Sequence, residues 1–330
     1  MQEIIILLEF VIGLVAIIKG ADWLTDGAAS IAHHFGIPTI VVGLTIVAVG
    51  SSMPEFVVSV VSAFKGNVDM ALGNVVGSNI FNILAIVGIT ALVMPIEIDR
   101  RNIKYDIPFV VLSSLYVAIT ALDSYFDATI DATTNSISRS DGLLMLCTFA
   151  IFMTYTMAIS KSDQNKTANT HADNKEQQPK PPMWKNILLV LIGLVLLIAG
   201  GDGLVEGASG IARWIGISES VIALTIVSAG TSAPELAASV MAAKKGDTAM
   251  ALGNVVGSVV FNVFFVLGTS AVIFPLGIGG VTATDILVLL GTSVLLWILT
   301  AFGQKQLIIT RTEGAIMVIM AIAYYTYLVI

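Results

Sequence analysis

Long stretches of consecutive apolar residues are the feature that most restricts how this chain can fold. Apolar residues make up 56% of its 330 residues and charged residues only 12%, proportions typical of a protein that crosses a membrane many times. A helix of about 20 apolar residues spans a hydrocarbon core of about 30 Å. Ten such stretches are found, near residues 4–22, 38–63, 69–95, 105–122, 142–160, 186–208, 217–242, 248–275, 283–302 and 313–330. The sequence therefore predicts an all-α polytopic membrane protein with ten transmembrane helices.

The basic residues predict how these helices are oriented, because cytoplasmic loops are rich in Lys and Arg. If the N-terminus lies outside, the cytoplasmic loops hold twelve of the sixteen basic residues, namely Arg100, Arg101, Lys104, Lys161, Lys166, Lys175, Lys180, Lys185, Lys244, Lys245, Lys305 and Arg311. We therefore predict that the N-terminus and the C-terminus both lie outside.

The sequence also contains an internal repeat with a period of 180 residues. Residues 41–90 align with residues 221–270 without a gap, and 26 of these 50 positions are identical. Each copy contains five predicted spans, and an odd number of spans places the second copy upside down relative to the first. We predict two inverted five-helix repeats, residues 1–160 and 185–330, joined by a disordered cytoplasmic linker at residues 161–184.

Each copy places a glutamate near the middle of a predicted span. Glu55 lies ten residues before Lys65, and Glu235 lies ten residues before Lys245, which is a rise of about 15 Å along a helix. An ionised side chain at that depth costs about 3 kcal/mol or more, so it is retained where a cavity or a counter-charge compensates. For a single glutamate the alternative is a protonated side chain hydrogen-bonded between helices. The duplication favours a functional site.

A proline precedes each glutamate and predicts an opening in the helix. Pro54 and Pro234 have no N–H, and each ring clashes with the carbonyl four residues back, at Gly50 and Gly230. Loosened carbonyls at bilayer depth are tolerated where they line a cavity or meet a cation. Hydroxyl groups flank both breaks, at Ser51, Ser52, Thr231 and Ser232.

The next span of each copy carries polar residues at four-residue intervals, which places them on one face of a helix. They are Asn74, Ser78 and Asn82 in the first copy and Asn254, Ser258 and Asn262 in the second. Hydrogen bonding between helices is the alternative role for this face. Together with the carboxylates, these amide, hydroxyl and carbonyl oxygens form a ligand set that suits a hard cation such as Ca²⁺, whereas zinc and copper prefer His and Cys.

The motifs GSSMPE…GNVVGSNIFN and GTSAPE…GNVVGSVVFN resemble the paired α-repeats of the calcium/cation antiporter superfamily, most closely its prokaryotic sodium/calcium exchanger branch. The resemblance implies an antiporter of the bacterial or archaeal plasma membrane that exchanges inward Na⁺ for outward Ca²⁺ by alternating access at midplane sites. It implies that Glu55 and Glu235 are central calcium ligands shared with sodium, and that spans 1 and 6 slide past the remainder. The other implied ligands are Ser51, Ser52, Thr231, Ser232, Ser78, Ser258, Asn82, Asn262 and the carbonyls of Ala48 and Ser228.

Two positions depart from the family's pattern. Asn262 stands where several relatives carry Asp, which argues against potassium coupling, and Ser51 stands where relatives carry Thr. Antiport of H⁺ for Ca²⁺ or another divalent cation is the main alternative, because buried glutamates bind protons readily. A cation channel or an intramembrane enzyme is more remote. We expect no cofactor, no nucleic acid and no obligate protein partner, only the transported Na⁺ and Ca²⁺ and the lipid bilayer.

Overall fold

A computed structural model describes residues 2–66, 68–126, 135–170, 182–214, 228–278, 280–302 and 307–329, and most of them are helical. The first copy begins with α1 (Gln2–Phe35), α2 (Thr39–Val42), the π-helix π1 (Gly43–Val47), α3 (Ala48–Ser51) and α4 (Met53–Phe64). It continues with α5 (Val68–Phe81), π2 (Asn82–Ile86), α6 (Val87–Val93), π3 (Asn102–Asp106), α7 (Ile107–Ala121), α8 (Asp123–Phe126) and α9 (Arg139–Thr170).

The second copy has a similar order of helices. Its elements are α10 (Met183–Trp214), α11 (Ser228–Thr231), α12 (Ala233–Lys244), α13 (Thr248–Phe261), π4 (Asn262–Leu267), α14 (Gly268–Ile273), α15 (Ala283–Phe302) and α16 (Arg311–Val329). The described connections contain four two-residue strands: β1 (Ile96–Glu97), β2 (Ser136–Ile137), β3 (Leu276–Gly277) and β4 (Ile308–Ile309). β1 pairs with β4 and β2 with β3, both antiparallel.

The lengths and apolarity of the helices establish a multi-pass membrane protein. Within the described residues, six helical segments are long and apolar enough to cross a bilayer, at Met70–Val93, Asn102–Ala121, Arg139–Ala158, Met183–Ala208, Thr248–Ile273 and Ala283–Phe302. The broken pair Thr39–Ser51 and Met53–Phe64 makes a seventh if it is counted as one span. The total of ten spans stays a prediction, and residues 217–227 of the predicted seventh span lie outside the described residues.

The predicted linker is partly helical. Helix α9 continues to Thr170, and α10 begins at Met183, so the prediction that residues 161–184 are disordered is wrong for residues 161–170 and for the last two positions. Residue 182 is described and not helical, and residues 171–181 lie outside the described residues. The polar composition of the segment resembles that of disordered chains, so composition alone does not show where α9 ends.

The contacts divide the chain into two compact units that cross the predicted repeat boundaries. One unit contains Met1–Ser51 and Phe152–Gly257, and the other contains Ser52–Ile151 and Ser258–Ile330. Each unit therefore takes helices from both sequence copies. The boundaries at residues 160 and 185 stay a prediction about the repeat, not about compact units.

In the first unit, α1 packs along α10 through glycines that occupy equivalent positions of the two copies. Three glycines lie seven residues apart on each helix: Gly13, Gly20 and Gly27 on α1, and Gly193, Gly200 and Gly207 on α10. A Cβ atom added at Gly13 would lie 2.5 Å from the backbone nitrogen of Leu204, and one at Gly200 would lie 2.8 Å from that of Ile17. Only glycine allows the two backbones to approach this closely.

In the second unit, helices of the two copies pack in pairs, α6 with α16 and α7 with α15, while α4 packs on α5. The α6–α16 pair has a close glycine contact, since a Cβ at Gly314 would lie 2.7 Å from the carbonyl oxygen of Gly88. The α7–α15 pair is joined by a buried hydrogen bond of 2.6 Å between the hydroxyls of Ser114 and Ser293. Close backbone contact and a buried polar contact thus join the two copies within this unit.

Candidate cation-binding site

Both glutamates predicted to bind cations are fully buried at the start of a helix. Glu55 is the third residue of α4 and Glu235 the third residue of α12, and the side chains of both have no exposed surface. The first turn of a helix carries a partial positive charge from its free N–H groups, which favours the ionised carboxylate. Both positions therefore suit an ionised carboxylate.

The predicted breaks before these glutamates are confirmed. Helix α3 ends at Ser51 and α4 begins at Met53, so the break lies at Ser52. In the second copy α11 ends at Thr231 and α12 begins at Ala233, with the break at Ser232. Pro54 and Pro234 occupy the second position of the new helix, where an N–H has no intrahelical acceptor and proline costs nothing.

An asparagine braces the helix that carries each glutamate. In the second unit, the Nδ2 of Asn74 donates to the carbonyl oxygen of Glu55 at 3.2 Å and to the hydroxyl of Ser59 at 2.9 Å. Since Ser59 lies one turn after Glu55, the two bonds hold one face of α4 against α5.

The first unit contains the equivalent brace with nearly the same geometry. The Nδ2 of Asn254 donates to the carbonyl oxygen of Glu235 at 3.2 Å and to the hydroxyl of Ser239 at 2.8 Å. The polar face predicted for each copy thus serves helix–helix hydrogen bonding at its first position. The brace fixes the backbone from which each glutamate side chain extends.

Asn254 also contacts a predicted ligand, Ser51. The hydroxyl oxygen of Ser51 lies 3.3 Å from Asn254 Oδ1 and 3.4 Å from the carbonyl oxygen of Ala48, and its single hydrogen can be donated to either acceptor. Either acceptor draws the hydroxyl hydrogen toward the protein, which leaves the oxygen lone pairs of Ser51 for another partner. Ser51 is fully buried, so a cation is a suitable partner.

Three predicted ligands of the second unit are buried with polar atoms that lack a hydrogen bond. Among the described residues, no partner is found for Oδ1 or Nδ2 of Asn82, for Oδ1 of Asn262 or for the hydroxyl of Ser258. Asn82, Asn262 and Ser258 have no exposed surface. Buried polar atoms are nearly always hydrogen-bonded, so these unpaired oxygens indicate a place that a cation or its water would fill.

Two of these residues begin a π-helix. Asn82 opens π2 and Asn262 opens π4, at equivalent positions of the two copies. A π-helix widens the backbone turn and is frequent at functional sites. Sequence periodicity does not predict π-helices, because their residue pattern differs little from that of an α-helix over one turn.

The structure places the remaining predicted ligands as follows. Ser78 is buried in α5, and its hydroxyl accepts a hydrogen bond of 3.3 Å from Asn262 Nδ2. Ser52 and Ser232 are fully buried at the two breaks, and their side chains do not cap the helices that follow. Ala48 is buried at the start of α3. Thr231 ends α11, which Ser228 begins, and the side chain of Ser228 lies outside the described side chains.

Sequence reasoning missed one buried residue of this region, Asn79. Its Nδ2 donates to the carbonyl oxygen of Val259 at 3.2 Å, and its Oδ1 accepts from Asn262 Nδ2 at 3.1 Å. A difference between the two copies could have pointed to it, because position 79 is Asn in GNVVGSNIFN and the equivalent position 259 is Val in GNVVGSVVFN. Among the described residues, no group of three or more His, Cys, Asp or Glu side chains is placed so that it could hold a metal ion.

Comparison with known proteins matches residues 5–158 and 185–330 to the family model "Sodium/calcium exchanger protein". The chain belongs to the sodium/calcium exchanger family. Its members are transporters, and the chain is accordingly a membrane cation exchanger and not an enzyme.

Individual relatives in the family match over nearly the whole chain. CaxA of Alkalimonas amylolytica is 37% identical over 318 residues, 96% of this chain and 96% of the relative. The sodium/calcium exchanger MaX1 of Methanosarcina acetivorans is 29% identical over 346 residues, 97% of each. A solved structure of the sodium-calcium exchanger NCX_Mj, soaked with zero Na⁺ and Ca²⁺, superposes with a TM-score of 0.81 at 28% identity, covering 98% of this chain and 99% of that one.

Proposed function

We propose that this chain moves Na⁺ into the cell and Ca²⁺ out of it by alternating access, in the plasma membrane of a bacterium or archaeon. The observation that carries the proposal is the duplicated glutamate. Glu55 and Glu235 are both fully buried, both lie in the first turn of a helix that restarts after a break, and both helices are braced by an asparagine. A buried carboxylate at membrane depth is costly unless a cation compensates its charge.

The ligand chemistry favours Na⁺ and Ca²⁺ over softer metals. Under this proposal Glu55 and Glu235 are the charged ligands, and Asn82 and Asn262 contribute amide oxygens. The hydroxyls of Ser51, Ser52, Ser78, Thr231, Ser232 and Ser258 and the carbonyls of Ala48 and Ser228 complete the set. An all-oxygen set of this kind, flexible in ligand number, is what Ca²⁺ binds.

Exchange follows from charge balance at these ligands. Two carboxylates carry two negative charges. Either one Ca²⁺ or two or more Na⁺ can neutralise them. Occupancy by one kind of ion then excludes the other, and this exclusion is the thermodynamic requirement for antiport. A chain that binds neither ion would keep both negative charges in a low-dielectric environment, which disfavours movement without cargo.

The packing of α1 on α10 supports the proposal that these two helices move. The two backbones are in close contact at glycines spaced seven residues apart, and Ile17 and Leu24 of α1 are buried in one cluster with Val190 and Leu197 of α10. The opposite faces of the two helices expose apolar side chains, for example Ile12 at 62% and Val195 at 64%, as expected for helices in contact with lipid. Close packing of this kind favours movement of α1 and α10 together, as one body.

The names of the relatives point to the same ions. MaX1 is named a sodium/calcium exchanger, and NCX_Mj is named a sodium-calcium exchanger whose structures were determined at several Na⁺, Ca²⁺ and Sr²⁺ concentrations. We carry these ions over to this chain because its candidate ligands are oxygen atoms throughout.

Uptake of ⁴⁵Ca²⁺ into proteoliposomes tests the proposal. Vesicles are loaded with Na⁺, K⁺ or choline and diluted into Na⁺-free buffer containing ⁴⁵Ca²⁺, with and without an imposed pH gradient. We expect uptake only in Na⁺-loaded vesicles, irrespective of the pH gradient. Uptake driven by the pH gradient and indifferent to internal Na⁺ would replace the proposal by H⁺/Ca²⁺ antiport. Uptake that needs neither gradient would indicate a channel.

A further inference from the structure

Asn79 distinguishes the first copy of the motif from the second. It is fully buried in α5, at the position where the second copy carries Val259. A buried carboxamide needs partners for both its oxygen and its nitrogen. Its partners are Val259 on one side and Asn262, a proposed cation ligand, on the other.

The carbonyl of Val259 determines which way the Asn79 side chain points. A backbone carbonyl can only accept a hydrogen bond, so the atom of Asn79 that faces it at 3.2 Å must be Nδ2. The Oδ1 of Asn79 then faces Asn262, and this oxygen can only accept. The atom of Asn262 that meets it at 3.1 Å must therefore be Nδ2.

The orientation of Asn262 follows from these two bonds. Its Nδ2 donates one hydrogen to Asn79 Oδ1 and the other to the hydroxyl of Ser78 at 3.3 Å. Both amide hydrogens are thus used, and Oδ1 of Asn262 points elsewhere, buried and without a hydrogen-bond partner among the described residues. An amide oxygen presented in this way binds a cation, whereas the flipped amide would present N–H donors and repel it.

We propose that Asn79 is a positioning residue that holds the carboxamide of Asn262 with its oxygen directed at the transported cation. The inference rests on the proposed function, because it takes Asn262 as a cation ligand. It assigns to Asn79 an effect on cation affinity that is transmitted through Asn262. If Asn79 had a purely structural role and only donated to the carbonyl of Val259, its replacement would lower stability and would not change cation affinity through Asn262.

A double-mutant cycle separates the two roles. Asn79→Val installs the residue that the second copy carries at the equivalent position, and it removes the acceptor that orients Asn262. Asn262→Asp supplies a carboxylate, whose two oxygens are equivalent and need no orientation. The positioning role predicts that Asn79→Val weakens Ca²⁺ binding in the chain that keeps Asn262 and does not weaken it in the chain that carries Asn262→Asp.

The cycle is measured by equilibrium ⁴⁵Ca²⁺ binding to the purified full chain in Na⁺-free detergent, with thermal unfolding of each variant recorded beside it. We expect Asn79→Val to raise the Ca²⁺ dissociation constant about tenfold, as expected from the loss of one well-oriented ligand. In the Asn262→Asp background we expect Asn79→Val to change the Ca²⁺ dissociation constant by less than about twofold. A change of that size is within the accuracy with which the effects of independent mutations add. An equal weakening in both backgrounds, or no weakening in either, would overturn the proposal.

Asn79→Asp provides a second variant if Asn79→Val does not fold. The new carboxylate still accepts from Asn262 Nδ2 but cannot donate to Val259, so we expect lower thermal stability together with Ca²⁺ affinity at least equal to that of the native chain. Weaker Ca²⁺ binding would contradict the positioning role. The experiment measures Ca²⁺ binding and not transport. If the native chain binds Ca²⁺ but does not exchange it for Na⁺, the proposed exchange is refuted, and the binding data still decide the role of Asn79.

Discussion

The two copies of the motif brace their glutamates in the same way and differ at the end of the same helix. Asn74 and Asn254 donate to the carbonyls of Glu55 and Glu235 at equal distances of 3.2 Å. At the helix ends, however, Lys245 forms ion pairs with Asp22 and Asp26 on α1, at 2.6 and 2.8 Å.

The lysine of the first copy behaves differently. Lys65 occupies the position equivalent to Lys245, and it forms no ion pair with any side chain in the described part of the chain. The two copies thus share the hydrogen bonds that hold the helix of each buried glutamate, and they differ in the contacts at the end of that helix.

Neutralising either glutamate is expected to have the largest effect. Glu55→Gln and Glu235→Gln each remove one charge from the proposed cation ligands while preserving size. Removing one partner of a buried charge pair costs about 3–5 kcal/mol, which is about a 150- to 4000-fold loss of Ca²⁺ affinity. Na⁺-dependent ⁴⁵Ca²⁺ uptake should be abolished in both variants. If one variant keeps near-native uptake, the two copies are not equivalent and that glutamate is not a ligand.

Removing the asparagine braces is expected to destabilise both copies equally. Asn74→Leu and Asn254→Leu each remove two buried hydrogen bonds, one to the carbonyl oxygen of the glutamate and one to a serine hydroxyl, at a cost of about 1–3 kcal/mol. Thermal unfolding in detergent should show similar losses for the two variants. Ser59→Ala and Ser239→Ala, which remove only one acceptor of each brace, are the controls and should lose less.

A difference between the two braces would appear in ion binding. Asn254 also accepts from the hydroxyl of Ser51, so Asn254→Leu should weaken cation binding in addition to lowering stability. Ca²⁺ affinity that is unchanged in this variant would show that orientation of the Ser51 hydroxyl is unimportant.

The glycine seam between α1 and α10 is expected to reject a single methyl group in either copy. A Cβ atom at Gly20 would lie 2.8 Å from the carbonyl oxygen of Gly193, and one at Gly200 would lie 2.8 Å from the nitrogen of Ile17. Overpacking of this kind costs about 1–3 kcal/mol. Gly20→Ala and Gly200→Ala should therefore lower the unfolding temperature and the uptake rate.

The matched control for the glycine seam is Gly291→Ala. Gly291 lies within α15, and a Cβ atom added there would have nothing within 4 Å. Alanine favours the helix over glycine by about 1 kcal/mol, so this variant should be as stable as the native chain or more so. Equal destabilisation of all three variants would show that the seam is not close-packed.

The lysine that distinguishes the two copies is expected to have the smallest effect. Lys245→Gln removes the ion pairs with Asp22 and Asp26, which are partly exposed and worth about 1 kcal/mol or less. Lys245 also donates to the carbonyl oxygen of Asp22 at 2.8 Å and to the hydroxyl of Thr25 at 3.0 Å. The loss of thermal stability should therefore shrink at high ionic strength, set with choline chloride because Na⁺ is a proposed substrate, without vanishing. Lys65→Gln is the matched control and should change nothing. An equal loss in Lys65→Gln would remove the difference between the copies.

Much of the fold and part of the site follow from local patterns in the sequence. Apolar stretches located most of the helices, Pro54 and Pro234 located the two breaks, and spacing placed Glu55 and Glu235 within their helices. These features depend on residues a few positions apart, so one sequence is enough to reveal them.

The rest depends on neighbours that are distant in the chain. Asn74 and Asn254 were assigned to a polar face, but their acceptors could be identified only once helices were packed. Asn79 was missed because its role depends on the carbonyl of Val259, 180 residues away. The helical extension to Thr170 was also missed, since the polar residues beyond Ser160 resemble a linker.

The competition between Na⁺ and Ca²⁺ tests the central claim most directly. Purified protein is equilibrated with ⁴⁵Ca²⁺ near its dissociation constant, and Na⁺ or K⁺ is added at constant ionic strength. If both ions use the same oxygen ligands, Na⁺ displaces all bound Ca²⁺ along a curve with a Hill coefficient above about 1, since more than one Na⁺ must replace each Ca²⁺, and K⁺ displaces little. Ca²⁺ that stays bound at saturating Na⁺ would contradict the account.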